Sequence, residues 1–388
     1  MIEAVAIGVL AGAVCGLIPG LHPNTLIPVF LGLAAFFDPV FAAVVLVSAG
    51  VTNTFVSFVP SVLVGATEAD ESLSVLPGHR LFLQGRGYEA VKLTVIGGVV
   101  AGLLSILLAP VLFLVLPVLY SAAVPLIPFV LVAFLVRSVL SEPKVFSAVT
   151  VVLSGILGFI VLSEFPKTFL FPLLSGLFGL PVLLLSSVRK TEAPETVSFE
   201  SDPVPGSRVL RCSASGIGAG IFSGLFPGLG VSQSAALASS VSGKGPKDFL
   251  ITLGGINTVD IIYSLFALVL IGNPRSGIAV AVGELIDLGF DELVVLTMAS
   301  LASIGAGALI TLAVARRFLF WLRKVDYPRL SLSVFFLVLV LVLAATGPLG
   351  LAVALVSCSV GLIPNLTGAR RTTAMACLMV PTALWYLG

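Results

Sequence analysis

Apolar stretches of about 17 to 25 residues recur along the whole chain, and they limit its fold more than any other feature. Each stretch is long enough to cross a hydrocarbon core roughly 30 Å thick as a helix. The composition agrees, because 58% of the residues are hydrophobic and only 10% are charged. The sequence therefore predicts an all-α, multi-pass protein of the cell membrane, with the lipid bilayer as its surroundings.

The charged residues and the motifs exclude several functions. The formal net charge is +1, and the Lys and Arg residues lie between apolar segments instead of forming one basic face. Nucleic acid is therefore not expected as a partner. The chain has no H-E-x-x-H, P-loop or G-x-S-x-G motif, so we predict that it is not an enzyme and holds no metal or cofactor.

A glycine pattern that ends in Pro-Gly occurs twice. In the first copy, Gly8, Gly12 and Gly16 precede Pro19 and Gly20. The same spacing recurs 208 residues later at Gly216, Gly220, Gly224, Pro227 and Gly228. Further on, the alignment continues with an offset of 204, which matches Asn53-Thr54 to Asn257-Thr258. The pattern predicts two repeated modules, 1–187 and 208–388, joined by a polar linker, 188–207.

The two modules are predicted to have opposite orientations in the membrane. Each begins with a Pro-Gly-broken segment, expected to form a re-entrant hairpin, and continues with about five transmembrane helices. An odd number of crossings inverts the second copy relative to the first. Six loops hold 18 of the 20 Lys and Arg residues: 66–92, 137–144, 188–211, 243–248, 316–329 and 365–371. Basic loops favour the cytoplasm, so the linker should be cytoplasmic and the N-terminus outside.

Polar residues follow each Pro-Gly break. Helix N-termini present free N–H groups, so two breaks that face each other can hold an anion without a cationic side chain. The predicted substrate-binding residues at the breaks are Pro19, Gly20, His22, Asn24, Thr25, Pro227, Gly228, Gly230, Ser232, Gln233 and Ser234. The alternative is a packing kink at which the Ser and Asn side chains only cap helices.

A second group of polar residues lies inside the third apolar segment of each module. Asn53 and Thr54 belong to the first, and Asn257, Thr258 and Asp260 to the second. An ionised carboxylate within a span costs roughly 2.5 to 3.5 kcal/mol on insertion, so it usually faces a wet cavity or a cation. We predict that Asp260, with Asn257 and Asn53, binds a coupling ion, Na⁺ or H⁺, and that the Asn and Thr residues also contact substrate. The alternative is hydrogen bonding between neighbouring helices.

The opening G-x-x-x-G-x-x-x-G-[LI]-[IF]-P-G of both modules resembles the large permease subunit of tripartite tricarboxylate transporters. The segments Pro77–Ala90 and Leu174–Leu180 are also similar to stretches of that family, and the likeness covers nearly the whole chain. The resemblance implies inverted repeats with two re-entrant hairpins and ion-driven import of a small organic anion such as a carboxylate. It also implies two partners, a small membrane subunit and an extracellular binding protein.

The chain differs from typical members in one motif and in length. Val64-Gly65-Ala66-Thr67 stands where the family has a further Pro-Gly pair, and the chain is short, as in archaeal members. The predicted function is a secondary transporter that works by alternating access, with one module moving against the other. A flippase for a polyprenyl-phosphate lipid carrier and a membrane scaffold without transport are the alternatives. A homodimer is left open.

Overall fold

The chain is described here from a computed structural model. It defines residues 1–18, 37–65, 75–140, 143–188, 198–199, 202–225, 231–243, 245–272, 276–322, 324, 326–369 and 371–387. Within these ranges the regular secondary structure is helical, and no strand occurs. The prediction of an all-α chain is therefore confirmed.

The helices are numbered in chain order. Those of the first half are α1 Ile2–Leu17, α2 Pro39–Val56, α3 Phe58–Leu63, α4 Arg80–Leu83, α5 Gly87–Leu107, α6 Ala109–Ala123, α7 Ile127–Val139, α8 Lys144–Glu164, α9 Leu170–Leu174 and α10 Leu180–Val188. Those of the second half are α11 Gly206–Leu225, α12 Val231–Ser242, α13 Pro246–Ile271, α14 Gly277–Leu285, α15 Phe290–Leu322, α16 Tyr327–Thr367 and α17 Ala376–Leu387.

Several helices begin at residues that cap a helix N-terminus. The Asp38 carboxylate accepts a hydrogen bond from the Phe41 amide at 3.0 Å, just before α2. The Ser276 hydroxyl accepts one from the Ala279 amide at 3.1 Å, just before α14. Each cap satisfies a backbone N–H group that has no partner within the helix. The starting points of these helices are therefore determined by residues next to them in the sequence.

Six helical stretches are long and apolar enough to cross a membrane, among the residues that the structure defines. They are Pro39–Leu63, Gly87–Leu107, Lys144–Glu164, Pro246–Ile271, Phe290–Leu322 and Pro328–Thr367. The chain is therefore a multi-pass membrane protein, as its sequence predicts.

Helix α16 is long enough to cross the bilayer twice. It contains 41 residues, which corresponds to about 60 Å at a rise of 1.5 Å per residue. A hydrocarbon core is about half as thick. The helix is broken at Gly347, whose φ is 69°, and Pro348 follows directly. The break divides α16 into two segments, each near the length of one span.

The helices of the two halves pack against one another in an interlocked manner. Within each half, the first glycine-rich helix packs on the long apolar helix that carries the buried Asn and Thr residues, α1 on α2 and α11 on α13. Across the halves, α5 packs on α13 and α15 packs on α2. In the same way, α8 packs on α17 and α10 packs on α16. Neither half could be withdrawn from the other without breaking several of these interfaces.

Glycines set the distance between the interlocked helices. A Cβ atom added to Gly97 of α5 would lie 1.9 Å from the Ile251 carbonyl oxygen of α13. One added to Gly254 of α13 would lie 2.1 Å from the Thr94 carbonyl oxygen of α5. The two backbones are thus in direct contact. Helix pairs in membranes pack closely where small residues face each other.

Part of the polar linker lies against the helices. The Phe199 ring stacks on Phe320 of α15 at 5.0 Å and meets Tyr88 of α5 edge-on at 5.6 Å. The Ser198 amide donates a hydrogen bond to the Gly85 carbonyl oxygen at 2.9 Å. This portion of the linker is therefore anchored to both halves of the protein.

Candidate functional site

The polar residues of the third apolar segments meet where α2 contacts α13. The Thr54 and Thr258 hydroxyl oxygens are 3.4 Å apart, and the Asn257 side-chain amide donates to the Thr54 carbonyl oxygen at 3.3 Å. Asn53, Thr54, Asn257 and Thr258 are all buried. The structure thus brings together residues about 200 positions apart in the sequence.

The threonines at this contact also bond to their own helices. The Thr54 hydroxyl donates to the Val51 carbonyl oxygen at 2.8 Å, and that of Thr258 lies 3.3 Å from the Gly254 carbonyl oxygen. A Cβ atom added to Gly98 of α5 would lie 2.8 Å from the Thr258 hydroxyl. The small residue therefore lets α5 cover the polar contact and separate it from lipid.

Asp260 lies on α13, one turn beyond Asn257, and is half-buried. Its carboxylate accepts a hydrogen bond of 2.6 Å from the hydroxyl of Ser223, which is buried on α11. Hydroxyl donors make bonds of this length to ionised carboxylates. The arrangement places one carboxylate beside a hydroxyl group, inside a predicted membrane span.

The glycine contacts reveal which residue of the first half corresponds to Asp260. A Cβ atom added to Gly16 would meet the Ser57 amide, the Val56 side chain and the Asn53 side-chain oxygen. One added to Gly224 would meet the Ser264 amide, the Tyr263 side chain and the Asp260 backbone oxygen, each 207 positions after the corresponding residue of the first half. Measured from the aligned glycines, Asp260 therefore occupies the place of Asn53.

This correspondence differs from the sequence alignment, which pairs Asn53 with Asn257. The glycine contacts pair each residue of α2 with the residue 207 positions later in α13. The sequence alignment used 204 positions, so the two registers differ by three residues, about one helical turn. At this place the first half has a neutral amide, Asn53, and the second half a carboxylate, Asp260. The negative charge is therefore present in one half and absent from the other.

Most of the predicted residues at the Pro-Gly breaks lie outside the described residues. They are Pro19, Gly20, His22, Asn24, Thr25, Pro227, Gly228 and Gly230. Ser232 and Gln233 are in α12, but their side chains are outside the description as well. Ser234 is buried, and its hydroxyl has no hydrogen-bond partner among the described residues. The anion site predicted at the breaks stays a prediction.

Two features of this region did not emerge from the sequence alone. Ser223 was not among the predicted site residues, although it precedes Gly224 on the glycine-rich helix α11. A serine three residues after the packing glycine Gly220 is a usable signal, because positions three apart lie on the same face of a helix. Gly98 was also missed, since its importance depends on the approach of α5 to Thr258.

The fold and the buried polar contact define a multi-pass membrane protein whose interior carries groups of the kind that transport proteins use. A family model matches residues 2–376, and the chain belongs to the tripartite tricarboxylate transporter TctA family. The resemblance seen in the Pro-Gly motifs is thereby confirmed. The members of this family are transporters and not enzymes, and family membership therefore favours membrane transport.

The chain is also similar to an uncharacterized protein of the archaeon Methanocaldococcus jannaschii. The two are 28% identical over 397 residues, which cover 98% of each chain. No solved structure matches the chain significantly.

Proposed function

We propose that the protein is an ion-coupled secondary transporter that moves a small organic anion, such as a tricarboxylate, across the membrane by alternating access. The observation that carries this proposal is the Asp260 carboxylate, which lies within a predicted span and accepts a hydrogen bond from Ser223. Maintaining a charge there is costly, and this cost favours a functional role. Membership of the TctA family supports an organic carboxylate as the substrate class.

In this proposal Asp260 binds the coupling ion and the Pro-Gly breaks hold the anion. A single carboxylate that accepts a hydrogen bond from a neutral hydroxyl suits a proton or Na⁺, whereas Ca²⁺ is usually bound by several carboxylates and carbonyl oxygens. Asn53 is the neutral counterpart of Asp260, so one ion per chain is proposed. Asn257 lies one helical turn before Asp260 on α13, and in this proposal it contacts both the ion and the anion.

The proposed topology follows the charge distribution of the loops. The two halves are inverted repeats with re-entrant hairpins, the N-terminus is outside and the linker is cytoplasmic. The family name implies a tripartite system, so we also propose a small membrane subunit and an extracellular binding protein as partners.

The sequence led us to expect that one module moves against the other. The interlocked packing favours a different division into moving parts. One set of helices, α1, α2, α5, α11, α13 and α15, shares extensive interfaces, and a second set, α8, α10, α16 and α17, does so separately. Each set contains helices of both halves. In the proposed cycle one set moves against the other, because this motion preserves the close glycine contacts within each set.

Ligand-dependent thermal stability tests the substrate class. A ligand that binds the native state alone stabilises it by about 2.7 kcal/mol at a hundred times its dissociation constant. We expect citrate to raise the unfolding temperature of the purified protein in detergent, and a polyprenyl phosphate to leave it unchanged. The Asn257→Ala variant should lose this response, whereas Asn365→Ala, the same change on α16, should keep it.

The other outcomes of this measurement separate the alternatives. Stabilisation by the polyprenyl phosphate and not by citrate would favour a lipid-carrier flippase. A response to neither ligand would contradict both of these substrates.

A further inference from the structure

A closed ring of four charged side chains joins the linker to the ends of α5 and α13. Arg86 lies 2.7 Å from Glu89 and 2.7 Å from Asp202. Lys247 lies 2.8 Å from the same Glu89 and 2.7 Å from the same Asp202. Each cation thus contacts both carboxylates, and each carboxylate contacts both cations. The four residues come from three separate parts of the chain.

The two carboxylates of the ring differ greatly in exposure. The Glu89 side chain is 1% exposed, whereas the Asp202 side chain is 70% exposed. A buried carboxylate must be paired, since removing its partner leaves an uncompensated charge. Glu89 therefore requires Arg86 and Lys247, and it fixes their position. Asp202 sits on the outer, water-facing side of the same pair.

The charge balance of the buried part leaves room for one anion. Arg86 and Lys247 carry two positive charges and Glu89 carries one negative charge, so one positive charge remains. Asp202 neutralises it. The pKa of the Asp202 carboxyl is lowered, first by the hydrogen bond from Lys247 and by its charge, and also by the charge of Arg86. Asp202 therefore remains an anion at neutral pH.

The geometry around Asp202 is that of a carboxylate held by two cations. Its Oδ2 atom accepts hydrogen bonds from Arg86 Nη2 and from Lys247 Nζ, both at 2.7 Å. Bonds of this kind between charged partners are short and strong. They depend on the carboxylate group itself and make no use of the rest of the aspartate. A carboxylate of another molecule could form the same two bonds.

The linker is anchored independently of Asp202. Phe199, three residues earlier, stacks on Phe320, and the Arg316 guanidinium lies 5.3 Å from the centre of its ring. The Ser198 amide adds a backbone hydrogen bond. Asp202 could therefore leave the two cations while the linker stays attached. The Asp202 side chain is 70% exposed, so water can solvate its carboxylate when it leaves, and a carboxylate of another molecule can take over its two bonds.

We propose that Arg86 and Lys247 form a second anion-binding site, specific for a carboxylate group, which Asp202 occupies in this structure and from which a free organic carboxylate displaces it. The site lies at the ends of α5 and α13 on the side of the linker, apart from Asp260. The tethered Asp202 acts as a competitor of high effective concentration. The choice of an organic carboxylate as ligand rests on the proposed function.

Removing the competitor tests the site. In the Asp202→Asn variant an amide of the same shape replaces the carboxylate, so the negative charge is lost. Titration calorimetry of the full-length protein in lipid nanodiscs should then show that citrate binds this site at least tenfold more tightly than in wild type. Asp287→Asn, which neutralises another exposed carboxylate, is the matched control and should bind as wild type. Adding Arg86→Gln to Asp202→Asn should remove the gain.

The gain in binding is the decisive observation, because it cannot result from unfolding. Equal citrate affinity of Asp202→Asn and wild type would overturn the proposal, and a gain for inorganic phosphate but not for citrate would overturn its assignment to carboxylates. Failure of the proposed function has a different signature. In that case citrate uptake is absent from proteoliposomes while the gain in Asp202→Asn persists.

Discussion

Replacing Asp260 with asparagine should abolish the dependence of citrate uptake on the ion gradient in proteoliposomes. Asparagine has the same shape and retains an oxygen that accepts the hydrogen bond from Ser223, so the helices should pack as before. The variant lacks the negative charge. A hydrogen bond or ligand contact to a charged group contributes about 1.5–3 kcal/mol, so the affinity for the coupling ion should fall roughly ten- to a hundredfold.

The measurement is the initial rate of citrate uptake with imposed gradients of protons and of Na⁺, compared with exchange at equal concentrations. Asp291→Asn provides the control, because it neutralises an exposed carboxylate at the start of α15. That variant should remain coupled. Uptake by Asp260→Asn that still responds to either gradient as in wild type would remove Asp260 from the coupling site.

Replacing Gly97 with valine should destabilise the protein more than any substitution on its lipid-facing surface. The first side-chain atom would already lie 1.9 Å from the Ile251 carbonyl oxygen, so α5 and α13 would have to move apart. Overpacking of this kind typically costs 1–3 kcal/mol, and we expect about 3 kcal/mol or more because backbone atoms, not a flexible side chain, are in contact.

Thermal unfolding in detergent, with size-exclusion chromatography of the same samples, measures this effect. Gly305→Val is the matched control, since a Cβ atom at Gly305 of α15 has no heavy atom within 4 Å. It should unfold near the wild-type temperature. Equal unfolding temperatures for the two variants would show that the close contact of α5 with α13 does not stabilise the fold.

The predictable part of the fold depends on local and periodic features. Helix α13 begins at Pro246 and ends at Ile271, where Gly272 has a φ of 67°, and proline and glycine are the residues expected at these two ends. The membrane character follows from segment length and hydropathy alone. The interlocking of α5 with α13 could not be predicted, because it depends on which glycine faces which carbonyl oxygen.

The candidate site, too, was predictable only in part from the sequence. The intramembrane position of Asp260 follows from the sequence, since a single charge in an apolar segment is visible without a structure. Its partner Ser223 lies 37 positions away and its counterpart Asn53 lies in the other half. The ion ring had no sequence signal either, because Arg86, Lys247 and Asp202 belong to three segments that read separately as polar loops or helix ends.

The sequence by itself determined that this protein crosses the membrane several times, that the Pro-Gly motif occurs twice and that Asp260 lies within a span. These properties depend on the transfer of each segment from water to lipid and on the spacing of residues along the chain. The tertiary structure alone decided that Asp260 takes the place of Asn53, because the glycine contacts set the packing register to within one helical turn. It also decided that Asp202 neutralises Arg86 and Lys247, because charges distant in sequence pair only after the helices have packed.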